Sequence, residues 1–226
     1  MEEREKKLRK KIALLFPAVF LVLGLMLFVP AGTLLYWEAW VYCAALLIPF
    51  FFVVTYLLRK DPELLVRRMR LREEEPAQRR IIEVSRIIFF IAFLIPGLDQ
   101  RFGWSDVPVA VVLAANALVI LGYAFVFLVF RENTFASRIV KVEQSQEVIS
   151  TGPYTIVRHP MYLGISIMFL ATPLALGSYW ALPVFLIFPL VLVYRIMNEE
   201  EVLLRDLPGY REYTQKVRYR LIPCIW

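Results

Sequence analysis

Residues 107–130 read Val-Pro-Val-Ala-Val-Val-Leu-Ala-Ala-Asn-Ala-Leu-Val-Ile-Leu-Gly-Tyr-Ala-Phe-Val-Phe-Leu-Val-Phe, 24 positions without a charged side chain. A helix crossing the hydrocarbon core of a bilayer needs about 20 apolar residues. This stretch is therefore read as a membrane span, and its neighbours follow suit. Further apolar runs occupy residues 12–30, 34–58, 87–98, 161–177 and 179–194. The run 87–98 spans only if 81–86 extends it, with Glu83 and Arg86 reaching toward the headgroups. The reading is an all-α, polytopic integral membrane helix bundle in one domain, with about six spanning helices and five as the alternative count.

Composition agrees. Of 226 residues, 59% are hydrophobic and 20% charged, against about 45–50% and about 25% in soluble domains. The net charge of +6 would raise the question of nucleic acid, but 25 of the 26 Lys and Arg residues fall in the N-terminal tail, the gaps 59–86 and 131–158, and the tail from Arg195. Only Arg101 lies on the opposite side. The positive-inside rule then expects both termini and the two long loops in the cytoplasm, in the cell (inner) membrane if the source is prokaryotic. The partner these charges imply is the lipid bilayer, with no nucleic acid.

Helix interiors are nearly free of ionisable groups. Glu38 stands beside Trp37 and Trp40 in an aromatic belt, and Asn116 is the main strongly polar side chain of its span. Transporters and pumps carry charged or histidine residues along their paths, so that class is disfavoured. Cys43 and Cys224 offer neither a metal-ligand spacing nor an evident disulfide, and no metal site is expected.

Polar density concentrates in two pieces flanking the last helix hairpin, which leaves and returns to one membrane face. The first is 147–164, containing Thr151-Gly-Pro153, a turn signal, and Arg158-His-Pro-Met-Tyr162. Proline forces His159 out of helical geometry and starts the next helix, placing the chain's single histidine at a helix N-terminus, where free N–H groups favour a carboxylate. An interfacial histidine bonded to a loop carbonyl fits these residues equally well, and Arg158 reads as a cytoplasmic anchor.

The second piece runs from Arg195 to Glu201, through Leu207-Pro-Gly-Tyr210 and Tyr213, to Arg220-Leu-Ile-Pro223. Arg195 and Glu199 share a helix face and by themselves read as an ordinary exposed pair. Glu200 and Glu201 read as solvated or paired with nearby arginines. Tyr210, Tyr213, Tyr219 and Trp226 read as aromatic packing around a short helix that caps a pocket.

These pieces, in this order, resemble the C-terminal signature of the isoprenylcysteine carboxyl methyltransferase family and its bacterial and phospholipid-methylating relatives. The resemblance covers residues from Arg131 onward. It rests on Gly152-Pro-Tyr154, Arg158-His-Pro-Met-Tyr162 with Gly164, Arg195-Ile-x-x-Glu199-Glu200-x-x-Leu203, Gly209-Tyr210, Tyr213 and Arg220-Leu-Ile-Pro223. It implies methyl transfer from S-adenosylmethionine at a cytoplasmic cofactor pocket, with 1–130 as N-terminal membrane helices and 131–226 as the catalytic portion. His159, Pro160, Met161, Tyr162, Glu199 and Gln146 would hold the cofactor, and residues 139–142 would form another contact. Arg195 and Glu199 would carry catalysis, Arg195 orienting a lipidic or small-molecule acceptor: an isoprenylcysteine carboxylate, a phospholipid amine or a thiol.

A carboxylate or thiolate acceptor needs no strong base, whereas an amine would call on Glu200 or a water. Membrane sterol reductases, which use NADPH, share a similar His-Pro-x-Tyr pattern but continue with Leu-Gly-Asp and use Arg-Asp-Glu. Here Leu163-Gly-Ile165 and Asn198-Glu-Glu200 stand instead, favouring the methyltransferase branch.

Overall fold

The computed structural model describes residues 2–69, 76–136, 142 and 146–226. Every regular element among them is helical: α1 (Glu2–Ala31), α2 (Trp37–Lys60), α3 (Pro62–Arg68), α4 (Pro76–Phe102), α5 (Val109–Glu132), a 3-10 turn (Gly152–Thr155), α6 (Pro160–Ala175), α7 (Leu182–Phe185), α8 (Ile187–Asp206) and α9 (Tyr210–Lys216).

Among the described residues, five helices are long and apolar enough to cross a membrane: Lys10–Ala31, Trp37–Lys60, Gln78–Phe102, Val109–Glu132 and Leu182–Asp206. The third is the short run 87–98 extended through Ile81–Arg86, as its sequence required. The fifth includes the short α7 turn and carries helix far beyond the apolar run ending at 194, so Arg195, Glu199 and Glu200 ride on a spanning helix's own continuation.

The expected sixth span needs correcting by length, because α6 has only 16 residues. At 1.5 Å per residue it is about 24 Å long, short of the hydrocarbon core. It nevertheless joins the two ends of the bundle. His159, immediately before it, contacts Glu200 on α8, while just after it the Leu176 carbonyl accepts from the Tyr36 hydroxyl and Ser178 donates to Asp99. Its far end closes as helices commonly do: Gly177 adopts φ +69°, and Ser178 N–H reaches back to the Pro173 carbonyl.

The most extensive helix pairing is α5 with α6, and two glycines permit its close approach. A Cβ on Gly122 would lie 2.7 Å from Met168 Cγ and 2.8 Å from the Gly164 carbonyl oxygen; one on Gly164 would lie 2.7 Å from Val126 Cγ2. With no hydrophobic force between helices in lipid, close backbone approach supplies the packing energy. One core cluster joins Leu27, Tyr36, Phe93, Val119, Ala175 and Phe185, and a second joins Ile12, Val54, Leu64 and Phe130. Large apolar side chains such as Leu21, Ile48, Leu121 and Leu190 face outward, as lipid-solvated helices require.

Candidate functional site

The site forms where the loop preceding α6, the end of α8 and α9 meet. Asp61 caps α3, its Oδ1 accepting from Leu64 N–H at 2.9 Å, and α3 reaches this region through Arg68, a terminal nitrogen of which lies 3.6 Å from Met161 Sδ. His159 occupies the N-cap position of α6 (φ −122°, ψ 59°) and Pro160 its first helical position, as the His-Pro dipeptide dictates. The Thr151-Gly-Pro signal becomes the 3-10 turn, with Gly152 at φ +54° against Glu132.

Glu200 is the hub: of the two readings its sequence left open, pairing with nearby arginines holds, since it is 4% exposed, whereas Arg158, read as a surface anchor, is 8% exposed and forked onto it. Arg158 Nε donates to Glu200 Oε1 at 2.6 Å and its second terminal nitrogen to Oε2 at 3.2 Å. Arg220 Nε donates to Oε2 at 2.7 Å, and His159 Nε2 lies 3.3 Å from Oε1. The remaining terminal nitrogen of Arg158 donates to the carbonyls of Val217 and Arg218. Backbone bonds from Arg158 to Tyr219 and from His159 to Arg220 tie the same two segments together. One carboxylate thus fastens three pieces of chain, and burial is tolerated because its oxygens are met by cations.

Arg195 and Glu199 share a face of α8 as their spacing requires, and the Tyr162 hydroxyl of α6 stands between them. It donates to Glu199 Oε2 at 2.6 Å and accepts from Arg195 Nε at 2.8 Å. The pair read as exposed is thereby drawn into the inter-helix seam.

Beside it lies a pocket whose lining includes Gln146, His159, Pro160, Met161, Tyr162 and Glu199, the six residues to which the resemblance assigns a cofactor role. Asn133, Tyr154, Arg158, Leu203, Tyr210 and Tyr213 also line it. The contact expected at 139–142 lies outside the described residues except for Val142, which packs against the cluster of Leu207, Tyr210 and Tyr213. That cluster is the expected aromatic cap. The Tyr213 hydroxyl donates to the Tyr154 carbonyl at 2.8 Å, and Asn133 Nδ2 donates to the Tyr154 hydroxyl at 2.8 Å. Burial pushes the Tyr154 phenol up to about 12, the Asn133 bond opposing it. Burial raises Tyr210 and Tyr213 further, and the negative charges of Glu200 and Glu199 add to the effect at Tyr210.

A second, apolar cavity of about 470 Å³ lies among α1, α2, α4 and α6. Ile165, Met168 and Phe169 line it, and they follow Met161 and Tyr162 along one helix face. Its lining holds two hydroxyls, Tyr42 and Thr172, bonded to each other at 3.1 Å.

These features define a polytopic helical membrane protein with a polar, tyrosine-lined pocket at one end of a helix hairpin and an apolar cavity along the same helix. Residues 110–208 match the family model described as phospholipid methyltransferase. The match begins inside α5, earlier than the sequence motifs indicated, and ends before α9. Among curated proteins, a protein-S-isoprenylcysteine O-methyltransferase of Arabidopsis thaliana is 28% identical over 145 residues, 59% of this chain and 64% of that protein. A Delta(14)-sterol reductase of Mus musculus is 37% identical over 84 residues, 36% of this chain and 20% of that protein. The chain thus spans less than two thirds of either relative, and the family resemblance read from its motifs recurs over α5 to α8.

Proposed function

We propose that this chain is an integral membrane methyltransferase that uses S-adenosylmethionine at the cytoplasmic face and methylates a lipidic or small-molecule acceptor. The observation that carries the reading is the Arg195–Tyr162–Glu199 bridge at the edge of a pocket lined by the other cofactor-assigned residues. The match of residues 110–208 to a phospholipid methyltransferase family supports it.

The pocket's chemistry suits the cofactor. Glu199 offers an anion for the amino group or ribose hydroxyls, the rings of Tyr154, Tyr210 and Tyr213 offer faces for a base, and Gln146 and His159 offer further polar contacts. S-adenosylmethionine brings a methyl group already activated on a sulfonium, so the protein's task is to align donor and acceptor.

Arg195 orients the acceptor, holding an anionic head by charge-assisted hydrogen bonds. Glu200, the base an amine acceptor would call on, already accepts from Arg158, Arg220 and His159. That occupation favours an acceptor nucleophilic without deprotonation, a carboxylate or thiolate. The apolar cavity beside Ile165 and Met168 accommodates a lipid chain, reached sideways from the bilayer. In this reading 1–226 is one membrane domain whose catalytic portion begins near residue 131, with both termini cytoplasmic.

A membrane reductase using NADPH is the second reading, favoured by the 37% identity to the sterol reductase over 84 residues. Calorimetry on detergent-purified protein separates them: S-adenosylmethionine binds under the first and NADPH under the second. Transfer of labelled methyl to a panel of prenylcysteine, phosphatidylethanolamine and small thiols then identifies the acceptor. Binding of neither cofactor overturns both readings.

A further inference from the structure

We propose that Gln78 is a positioning residue for methyl transfer, acting through the helical turn that carries Arg195 and Glu199; this rests on the methyltransferase reading above. Gln78 lies in the first turn of α4, far from the sequence motifs, and is 0% exposed. Its Nε2 donates to the backbone carbonyl of Arg195 at 3.2 Å. Inside an α-helix the carbonyl of residue i accepts from the N–H of i+4. The carbonyl gripped by Gln78 therefore belongs to the backbone link between Arg195 and Glu199.

Satisfying buried polarity does not explain this contact. A carbonyl inside a helix already has a partner, and the other end of the carboxamide, Gln78 Oε1, is buried with no hydrogen-bond partner among the described residues. Leaving a buried acceptor unpaired destabilises a fold, and an apolar side chain of similar size would avoid that. The molecule instead carries a polar group at a stability cost, at the one turn that spaces its two assigned catalytic groups.

The same turn is held from its other side by Tyr162, through Arg195 Nε and Glu199 Oε2. Helix α8 is thus gripped by α6 through side chains and by α4 through the backbone. A shift of this turn would displace Arg195 relative to Glu199, and displacements of about 1 Å cost on the order of 100-fold in rate when alignment is the source of catalysis.

The test compares the full-length wild type with Gln78→Met in detergent, measuring S-adenosylmethionine affinity, thermal midpoint, and kcat and KM for the acceptor identified above. The expected result is a kcat lowered about tenfold or more, with cofactor affinity within about threefold and an unchanged or higher midpoint. A kcat within about twofold of wild type overturns the proposal, as does a fall in midpoint and cofactor affinity together with rate. If Gln78→Met does not fold, Gln78→Glu substitutes for it. Its neutral acid donates as the amide does and its carboxylate does not, so its rate relative to wild type rises as pH falls; a flat ratio overturns the proposal. Absence of transfer by the wild type itself overturns the methyltransferase reading and this proposal with it, whereas an active wild type and an equally active Gln78→Met overturn only the latter.

Discussion

The hydroxyl of Tyr162 donates to Glu199 Oε2 at 2.6 Å while accepting from Arg195 Nε at 2.8 Å. A residue in the first turn of α6 thereby bridges two groups on α8. Tyr162→Phe removes the bridge and leaves the ring. Hydrogen bonds to charged groups contribute about 1.5–3 kcal/mol, so methyl transfer should fall about 10- to 100-fold. Labelled-methyl transfer checks this, and a rate equal to wild type would show that the bridge plays no part. Arg195→Ala should depress transfer more than cofactor affinity, and equal loss of both would contradict its assignment to the acceptor.

The Glu200 cluster should behave as a structural fastening. Replacing Glu200 with Ala leaves Arg158, at 8% exposure, without its carboxylate. Breaking a buried pair in this way costs about 3–5 kcal/mol, and the thermal midpoint in detergent should drop accordingly. Glu201→Ala, on an exposed neighbour, should leave it unchanged. Equal midpoints for the two variants would refute the hub.

Close approach of α5 and α6 makes a steric prediction. Gly164→Ala or Gly122→Ala forces a Cβ to within 3 Å of the facing helix, and such overpacking costs about 1–3 kcal/mol. Gly24→Ala, whose nearest neighbour would be Phe28 at 4.0 Å, is the control and should be neutral or stabilising. Chemical or thermal denaturation of the three variants decides, and comparable stability of all three would mean that α5 and α6 separate freely.

Alkaline pH should loosen the aromatic cap. The Tyr154 phenol is pushed up to about 12 in the folded chain, against about 10 when unfolded. A folded value above the unfolded one contributes stability that is complete below pH ~10 and is lost as pH rises from there toward ~12. The thermal midpoint should fall through this window, and less steeply in Tyr154→Phe. Identical slopes in the two proteins would remove Tyr154 from the cap's pH response.

Much of this architecture is legible residue by residue. The apolar runs locate the spanning helices because hydrocarbon admits only backbone that satisfies its own hydrogen bonds. Residues 81–86 extend the third run into a full span because long charged side chains at a helix end can reach the headgroups. His159-Pro160 marks a helix start because proline restricts its predecessor and lacks an N–H. Even the meeting of the 158–162 and 195–199 segments follows from a hairpin returning to its starting face.

Partnership is what local pattern leaves open. Arg158 has the sequence appearance of any basic residue at a cytoplasmic helix end, and Glu200 that of any acid on a charged helix; their burial comes from α9 and the Tyr219–Arg220 strand of chain folding over them. Tyr154 and Asn133 reach the pocket from segments 21 residues apart. Gln78 contacts a carbonyl 117 residues away and carries no motif at all. By itself the sequence determined a helical membrane protein and the end of the hairpin at which its polar residues collect, because those depend on hydrophobicity, charge and chain stiffness along the chain. Only the tertiary structure decided that Glu200 fastens chain segments together while Glu199 faces the pocket, and that α6 traverses the bundle in 16 residues. Both depend on which side chains meet across segments distant in sequence, and no local pattern along the chain specifies that.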